Sequence, residues 1–187
     1  AEADKIINGA ERIYYNDNKT FPSYIKFNSS FGKTADQLLS EWQKTFKINY
    51  KLLNVEKDLI GLEHYKYQQY YDTIPIEWAI FKLHVKNGKI NSFSGTIWTD
   101  IHPISSPSIS GDMAVKIALD VHKADLYMWQ DSAEEAYLKI INKDQNATYI
   151  PQPHLVIYKT NDRENLAYKL TIYSKRPLAK KDYYLSL

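Results

Sequence analysis

Apolar residues recur at helical spacing in three stretches of this chain and alternate with polar ones through most of the rest. Ala35, Leu38, Leu39, Trp42 and Phe46 follow the 3.6-residue period, and Thr34 with Gln37 ahead of them matches a capping box. An amphipathic helix of about three turns is expected there. Ser110 preceding Ala114, Ile117, Ala118 and Val121 predicts a second helix, and residues 133–141 a third. Elsewhere the period is two. Tyr65, Tyr67, Gln69 and Tyr71 alternate with His64, Lys66, Gln68 and Tyr70, and Asp72-Thr73-Ile74-Pro75 marks a turn. In the next strand Ile74, Ile76, Trp78 and Ile80 hold even positions, whereas Phe81, Leu83 and Val85 hold odd ones. Period two has slipped once, which predicts a bulge or strong bend near residues 79–82. Asn87-Gly88 suits a type I′ hairpin, whose two central residues both need positive φ. Residues 24–27 and 50–55 read as shorter strands; the first 28 residues are otherwise weakly patterned. Residues 155–158, then Leu166, Tyr168, Leu170 and Ile172, then Tyr183, Leu185 and Leu187 give a second antiparallel series.

Residues 100–111 hold Pro103, Pro107 and four serines with few bulky side chains, a composition typical of a linker. It divides the sequence into residues 1–104 and 105–187, each with helix before strands. The expected class is α+β: two small modules, each a helix packed on a curved antiparallel sheet. The chain opens Ala1-Glu2-Ala3-Asp4, with no initiator Met and no leader features, so a removed leader is expected. It stops inside the strand pattern at Leu187, so a fragment of a longer protein is expected.

The chemistry narrows further. Lys and Arg number 24 against 22 Asp and Glu in 187 residues, a net charge of +2 that provides no field to steer nucleic acid or anionic membrane. Mean hydropathy is −0.50, and no apolar run approaches membrane-spanning length. The absence of cysteine excludes disulfides, thiolate zinc sites and thiol catalysis within the chain. No His-Glu-x-x-His, Gly-x-Ser-x-Gly, Walker or dinucleotide glycine pattern occurs. His64 and His84 can face each other on paired strands and hold a metal with Glu63 or Glu77, although hydrogen-bonded strand histidines are far commoner. Glu134 and Glu135 are adjacent on a helix and diverge, so they form no glycosidase pair and read as a solvated face. Tyr65, Tyr67, Tyr70, Tyr71, Trp78 and Trp98 form either a stacking platform for sugars or bases, or the core and rim of a small sheet; the second is the commoner outcome. Asn18-Lys19-Thr20, Asn28-Ser29-Ser30 and Asn146-Ala147-Thr148 are glycosylation sequons, which arise by chance in Asn-rich chains.

One stretch carries a resemblance. Residues 61–76, Gly-Leu-Glu-His-Tyr-Lys-Tyr-Gln-Gln-Tyr-Tyr-Asp-Thr-Ile-Pro-Ile, continue to His84-Val85-Lys86-Asn87-Gly88-Lys89-Ile90 and Gly95. This succession resembles the fungalysin/thermolysin propeptide (FTP) motif, with one departure: Thr73 stands where that family usually has glycine. The later half resembles the PepSY module that follows in such propeptides, through residues 114–118, Tyr127-Met128-Trp129, residues 146–151, Leu155-Val156-Ile157, residues 166–173 and Pro177-Leu178. The positions matching the motifs are His64, Tyr67, Gln69, Tyr70, Pro75, His84, Asn87, Gly88, Gly95 and Tyr168, and structural roles are expected for them. The resemblance implies the amino-terminal prosegment of a secreted thermolysin-like zinc metallopeptidase, with no catalytic residue, metal or cofactor of its own. Its implied partner is the catalytic domain of the same precursor, which such segments help to fold and keep latent. Nucleic acid and membrane are not expected partners. Two rival readings remain at this stage: a free-standing secreted binding module using its aromatic sheet face, and an independent peptidase inhibitor.

Overall fold

A computed structural model describes residues 7–16, 21–99, 101–102, 108–160 and 163–186. The chain divides into two compact units, Ala1–Pro103 and Ile104–Leu187. Among the described residues, three α-helices and antiparallel strands make the class α+β. Much of the expected linker, the boundary at 104/105, the sequon at Asn18 and the terminal Leu187 lie outside the described residues.

Among its described residues the first unit has six antiparallel strands and one helix. Its strands are β1 (Ala10–Tyr14), β2 (Tyr24–Phe27), β3 (Asn49–Lys57), β4 (Glu63–Tyr71), β5 (Ile74–Lys86) and β6 (Lys89–Gly95), in spatial order β1-β2-β6-β5-β4-β3. The helix α1 (Ala35–Phe46) starts on the capping box: Gln37 N donates to Thr34 Oγ1 at 3.3 Å and Thr34 N to Gln37 Oε1 at 2.9 Å. Its apolar stripe, Ala35, Leu38, Leu39 and Trp42, closes over the inner sheet face with Phe21, Ile25, Phe81, Leu83 and Phe93. Phe21 meets Trp42 edge-on at 5.1 Å and Phe93 at 5.6 Å. Burial of each such large side chain is worth ~1.5–3 kcal/mol before chain entropy is counted. Strand β1 escaped prediction because its exposure runs without alternation.

The second unit pairs β8 (His154–Thr160), β9 (Arg163–Arg176) and β10 (Leu178–Ser186) antiparallel, with the short β7 (Leu126–Tyr127) on the far end of β9. On it lies α2 (Gly111–His122), capped by Ser110 Oγ, which accepts from Met113 N at 3.2 Å. Ala114 and Ala118 are fully buried against Leu170 and Ile172, and their small size brings helix and sheet close. Only half of the predicted stripe is covered, since Ile117 and Val121 remain exposed. A single turn of 3-10 helix at Met128–Gln130 leads into α3 (Ser132–Asn142), which buries no residue fully. Polar contacts hold it instead. Lys175 reaches Asp131 Oδ2 at 2.6 Å and Glu134 Oε1 at 3.0 Å. Glu135 accepts from Tyr149 N at 2.7 Å and from Thr148 Oγ1 at 3.2 Å. The two glutamates do diverge, but each has a partner and neither belongs to a purely solvated face.

Candidate functional site

The motif positions of the first unit gather on β4, β5 and β6, where two irregularities decide the geometry. Strands β4 and β5 pair from Glu63↔Val85 to Gln68↔Ile80, then resume at Tyr70↔Pro75, so four residues of β5 stand opposite one of β4. This is the expected bulge, centred three residues earlier than predicted. Ile76 and Ala79 are fully buried, while Trp78 between them has φ +60° and is 59% exposed. The extra carbonyls are satisfied from β4: Gln68 Nε2 donates to Ile76 O at 2.7 Å, Ala79 O at 3.2 Å and Gln69 O at 2.9 Å. Gln69 points the other way and is 2% exposed. Its amide exchanges two bonds with the main chain of Trp98, Trp98 N to Oε1 at 2.9 Å and Nε2 to Trp98 O at 2.7 Å. One side chain thus fixes where the chain goes after β6.

Gly95 ends β6 with φ +131°, and a Cβ there would lie 2.5 Å from both Ile80 O and Phe81 Cα. No side chain fits that close approach. Asn87 and Gly88 have φ +52° and +73°, the pair of positive values that the I′ hairpin demands. At the preceding turn Asp72 takes the left-handed conformation, φ +52°, while Thr73 does not. Non-glycine Thr73 is therefore accommodated without strain.

On the outer face His64 and His84 stand in register, with their Nδ1 atoms 2.6 Å apart. His64 Nε2 lies 3.2 Å from Asp58 Oδ2, and His84 Nε2 lies 2.8 Å from Ser94 Oγ. The N–H of Leu62 above all, with those of Ile60 and His64, holds the Asp58 carboxyl below its usual range, so at neutral pH it only accepts. The order of donors follows: Ser94 to His84, His84 to His64, His64 to Asp58. A further proton reverses the Ser94 and His84 bonds and leaves every group paired. A second one sets N–H against N–H. Burial first, then His64 and Lys82, push the His84 pKa below that of an ordinary histidine. The two rings thus face each other as expected, but they bond to one another, and no group of three or more metal-ligating side chains occurs among the described residues.

The aromatic residues do not form one platform. Tyr67 is buried and stacks on Phe81 at 5.2 Å, and burial, with Asp36 secondary, pushes its phenol up to about 12. Tyr65 packs against the same core, whereas Tyr70 faces outward beneath Lys51 Nζ, 4.5 Å from its ring centre. Pro75 opposes Tyr70 near the start of β5. In the second unit Tyr168 packs on the α2 core. Sequence reasoning missed a neighbouring network: His122 bridges Tyr183 Oη at 2.9 Å and Ser174 Oγ at 3.0 Å. Ser174 donates to Pro177 O at 2.7 Å, so His122 Nε2 carries the proton. Only the tertiary fold unites residues so far apart in sequence.

A family model covers the irregular core of the first unit. Residues 48–97 match the Fungalysin/Thermolysin Propeptide Motif. The match runs from the residue before β3 to Ile97, and so contains the bulge, the His64–His84 pair, both turns and Gly95. This motif is a propeptide element of thermolysin-type precursors and is non-catalytic. The chain is also 22% identical over 172 residues to proteins named thermolysin from Alicyclobacillus acidocaldarius subsp. acidocaldarius and from Bacillus caldolyticus. The alignments take in 86% of this chain and 29% of each relative, so the propeptide motif and its surroundings span under a third of those proteins. Among the described residues no helix is long and apolar enough to cross a membrane.

Proposed function

We propose that this chain is the prosegment of a secreted thermolysin-like zinc metallopeptidase, that it assists folding of the catalytic domain, and that it keeps that domain latent until cleavage. The observation carrying this reading is the propeptide motif over residues 48–97, in a chain whose similarity to thermolysins extends well beyond it. The later half would act as the PepSY module of the same prosegment. A large protease domain can face a high folding barrier, and a surface that binds its late transition state lowers that barrier. The same surface then occupies the folded enzyme and inhibits it. Without cysteine, latency acts by occlusion and not through a thiolate on the zinc.

The reading predicts a zinc-peptidase domain encoded a modest linker beyond Leu187. Added in trans, the 187-residue chain should raise the recovery of active enzyme from denatured catalytic domain and inhibit the native enzyme. A stop codon after Leu187, or unchanged recovery together with unchanged activity, refutes it.

A further inference from the structure

The loop joining β3 to β4 carries an unusual tip. The hairpins β4–β5 and β5–β6 turn on Asp72-Thr73 and Asn87-Gly88, the polar and small residues that turns favour, whereas this one presents Leu59 and Ile60. Leu59 is fully exposed and Ile60 three-quarters so. Aliphatic side chains gain by leaving water, and here the fold takes little of that gain. Nor is the tip loose. Asp58 N donates to Leu62 O at 2.9 Å, Gly61 N donates to Asp58 O at 3.1 Å, and Asp58 Oδ1 accepts from Ile60 N at 3.0 Å and from Leu62 N at 2.8 Å. The loop is thus shaped by the main chain and Asp58, and it holds the two aliphatic side chains outward without using them.

The tip continues an apolar margin. Strand β3 is the last of its sheet, and among the described residues it pairs with β4 alone. Leu52 and Val55 stand opposite Tyr67 and Tyr65, which pack in the core, and yet both are half-exposed; Leu53, equally exposed, falls at the register shift between Leu52 and Asn54. Five exposed aliphatic residues therefore lie within positions 52–60. An exposed apolar surface of this kind marks a protein contact, and a loop already ordered loses little entropy on docking.

We infer that this margin, led by Leu59 and Ile60, is the surface by which the first unit docks on the catalytic domain of its own precursor. This rests on the prosegment reading and names its contact surface. All five residues lie within the stretch 48–97 that matches the propeptide motif. The region aligned with this chain is 29% of the thermolysin relatives, so the larger part of such a precursor is a covalently attached neighbour. The size of the margin favours the same occupant. A strip one strand wide with a two-residue tip falls short of the ~800 Å² per partner that a stable interface needs. It serves as one contact of a neighbour held close by its tether, which raises the effective concentration, and not as the whole interface of a freely diffusing second copy.

The test uses the 187-residue chain and the mature enzyme that the prosegment reading predicts. Leu59→Ser combined with Ile60→Ser should leave the thermal midpoint of the chain unchanged and weaken its inhibition of the enzyme about tenfold or more. Leu59→Met combined with Ile60→Val should retain most of the inhibition. If the serine pair inhibits as well as the parent, the tip makes no contact with the enzyme; if it lowers the thermal midpoint, the two residues serve the fold; if sedimentation shows the parent to be a dimer that the serine pair dissolves, the margin joins two copies. Each of these outcomes overturns the inference while the prosegment reading stands. If the parent chain itself neither inhibits nor aids refolding, both fail.

Discussion

Replacing Gln69 by Met keeps length and burial but removes the two bonds to the Trp98 main chain, at 2.9 and 2.7 Å. The Trp98 N–H and C=O then lose a matched partner in a part-buried place. Each such orphaned group costs ~1–3 kcal/mol, so a loss of about 2–4 kcal/mol is expected after partial rescue by water. With a urea dependence of ~1 kcal/mol per molar for a unit of this size, the midpoint should fall by about 2–4 M. Urea unfolding would be followed together with hydrogen exchange of the Trp98 amide, which should lose its protection before the amides of β5 do. Gln69→Glu offers a sharper comparison. Its carboxylate still accepts from Trp98 N–H but sets a charged oxygen against Trp98 O, so this variant should be less stable at pH 7 and recover toward pH 4, where a protonated carboxyl can donate. A Gln69→Met protein within about 0.5 kcal/mol of the parent, with unchanged exchange at Trp98, would refute the reasoning.

Gly95→Ala should abolish folding of the first unit, because backbone atoms at 2.5 Å cannot yield; Gly88→Ala, with nothing within 4 Å of its Cβ, should cost only the left-handed conformation, ~1–2 kcal/mol, and circular dichroism melts of the two would separate these cases. A depressed His84 pKa in the fold means that the unfolded chain binds the proton more readily. Its contribution to stability is therefore intact above about 6.5, the ordinary histidine value, and is lost as pH falls through that value toward the folded one. Proton NMR of the His84 ring should give a titration midpoint below the ordinary histidine range, and a midpoint at or above that range would contradict burial as what governs this ring.

What the sequence disclosed was mainly local. The capping box at Thr34 and Gln37 and the hairpin at Asn87-Gly88 depend on neighbours a few residues apart, and both formed as read. The slip of period in β5 was visible, but it was placed too late because Trp78 and Ile80 were counted as core. Trp78 is in fact exposed, and apolar character does not guarantee burial. The pairing of His64 with His84 followed from strand register, whereas their joining to Asp58 and Ser94 needed the loop before β4 and the third strand. Gln69 was singled out through resemblance alone; its partner lies 29 residues away. On α2 the helical period implied a wide buried stripe, yet the helix sits on two alanines and leaves Ile117 and Val121 uncovered.

The contact between His64 and His84 also sets how the molecule carries charge. The formal value of +2 treats all five histidines as neutral. Since one hydrogen fills the 2.6 Å gap between the two rings and leaves no space for another, the pair holds at most one positive charge while that contact lasts. A second proton can therefore settle on these imidazoles only where the two side chains part.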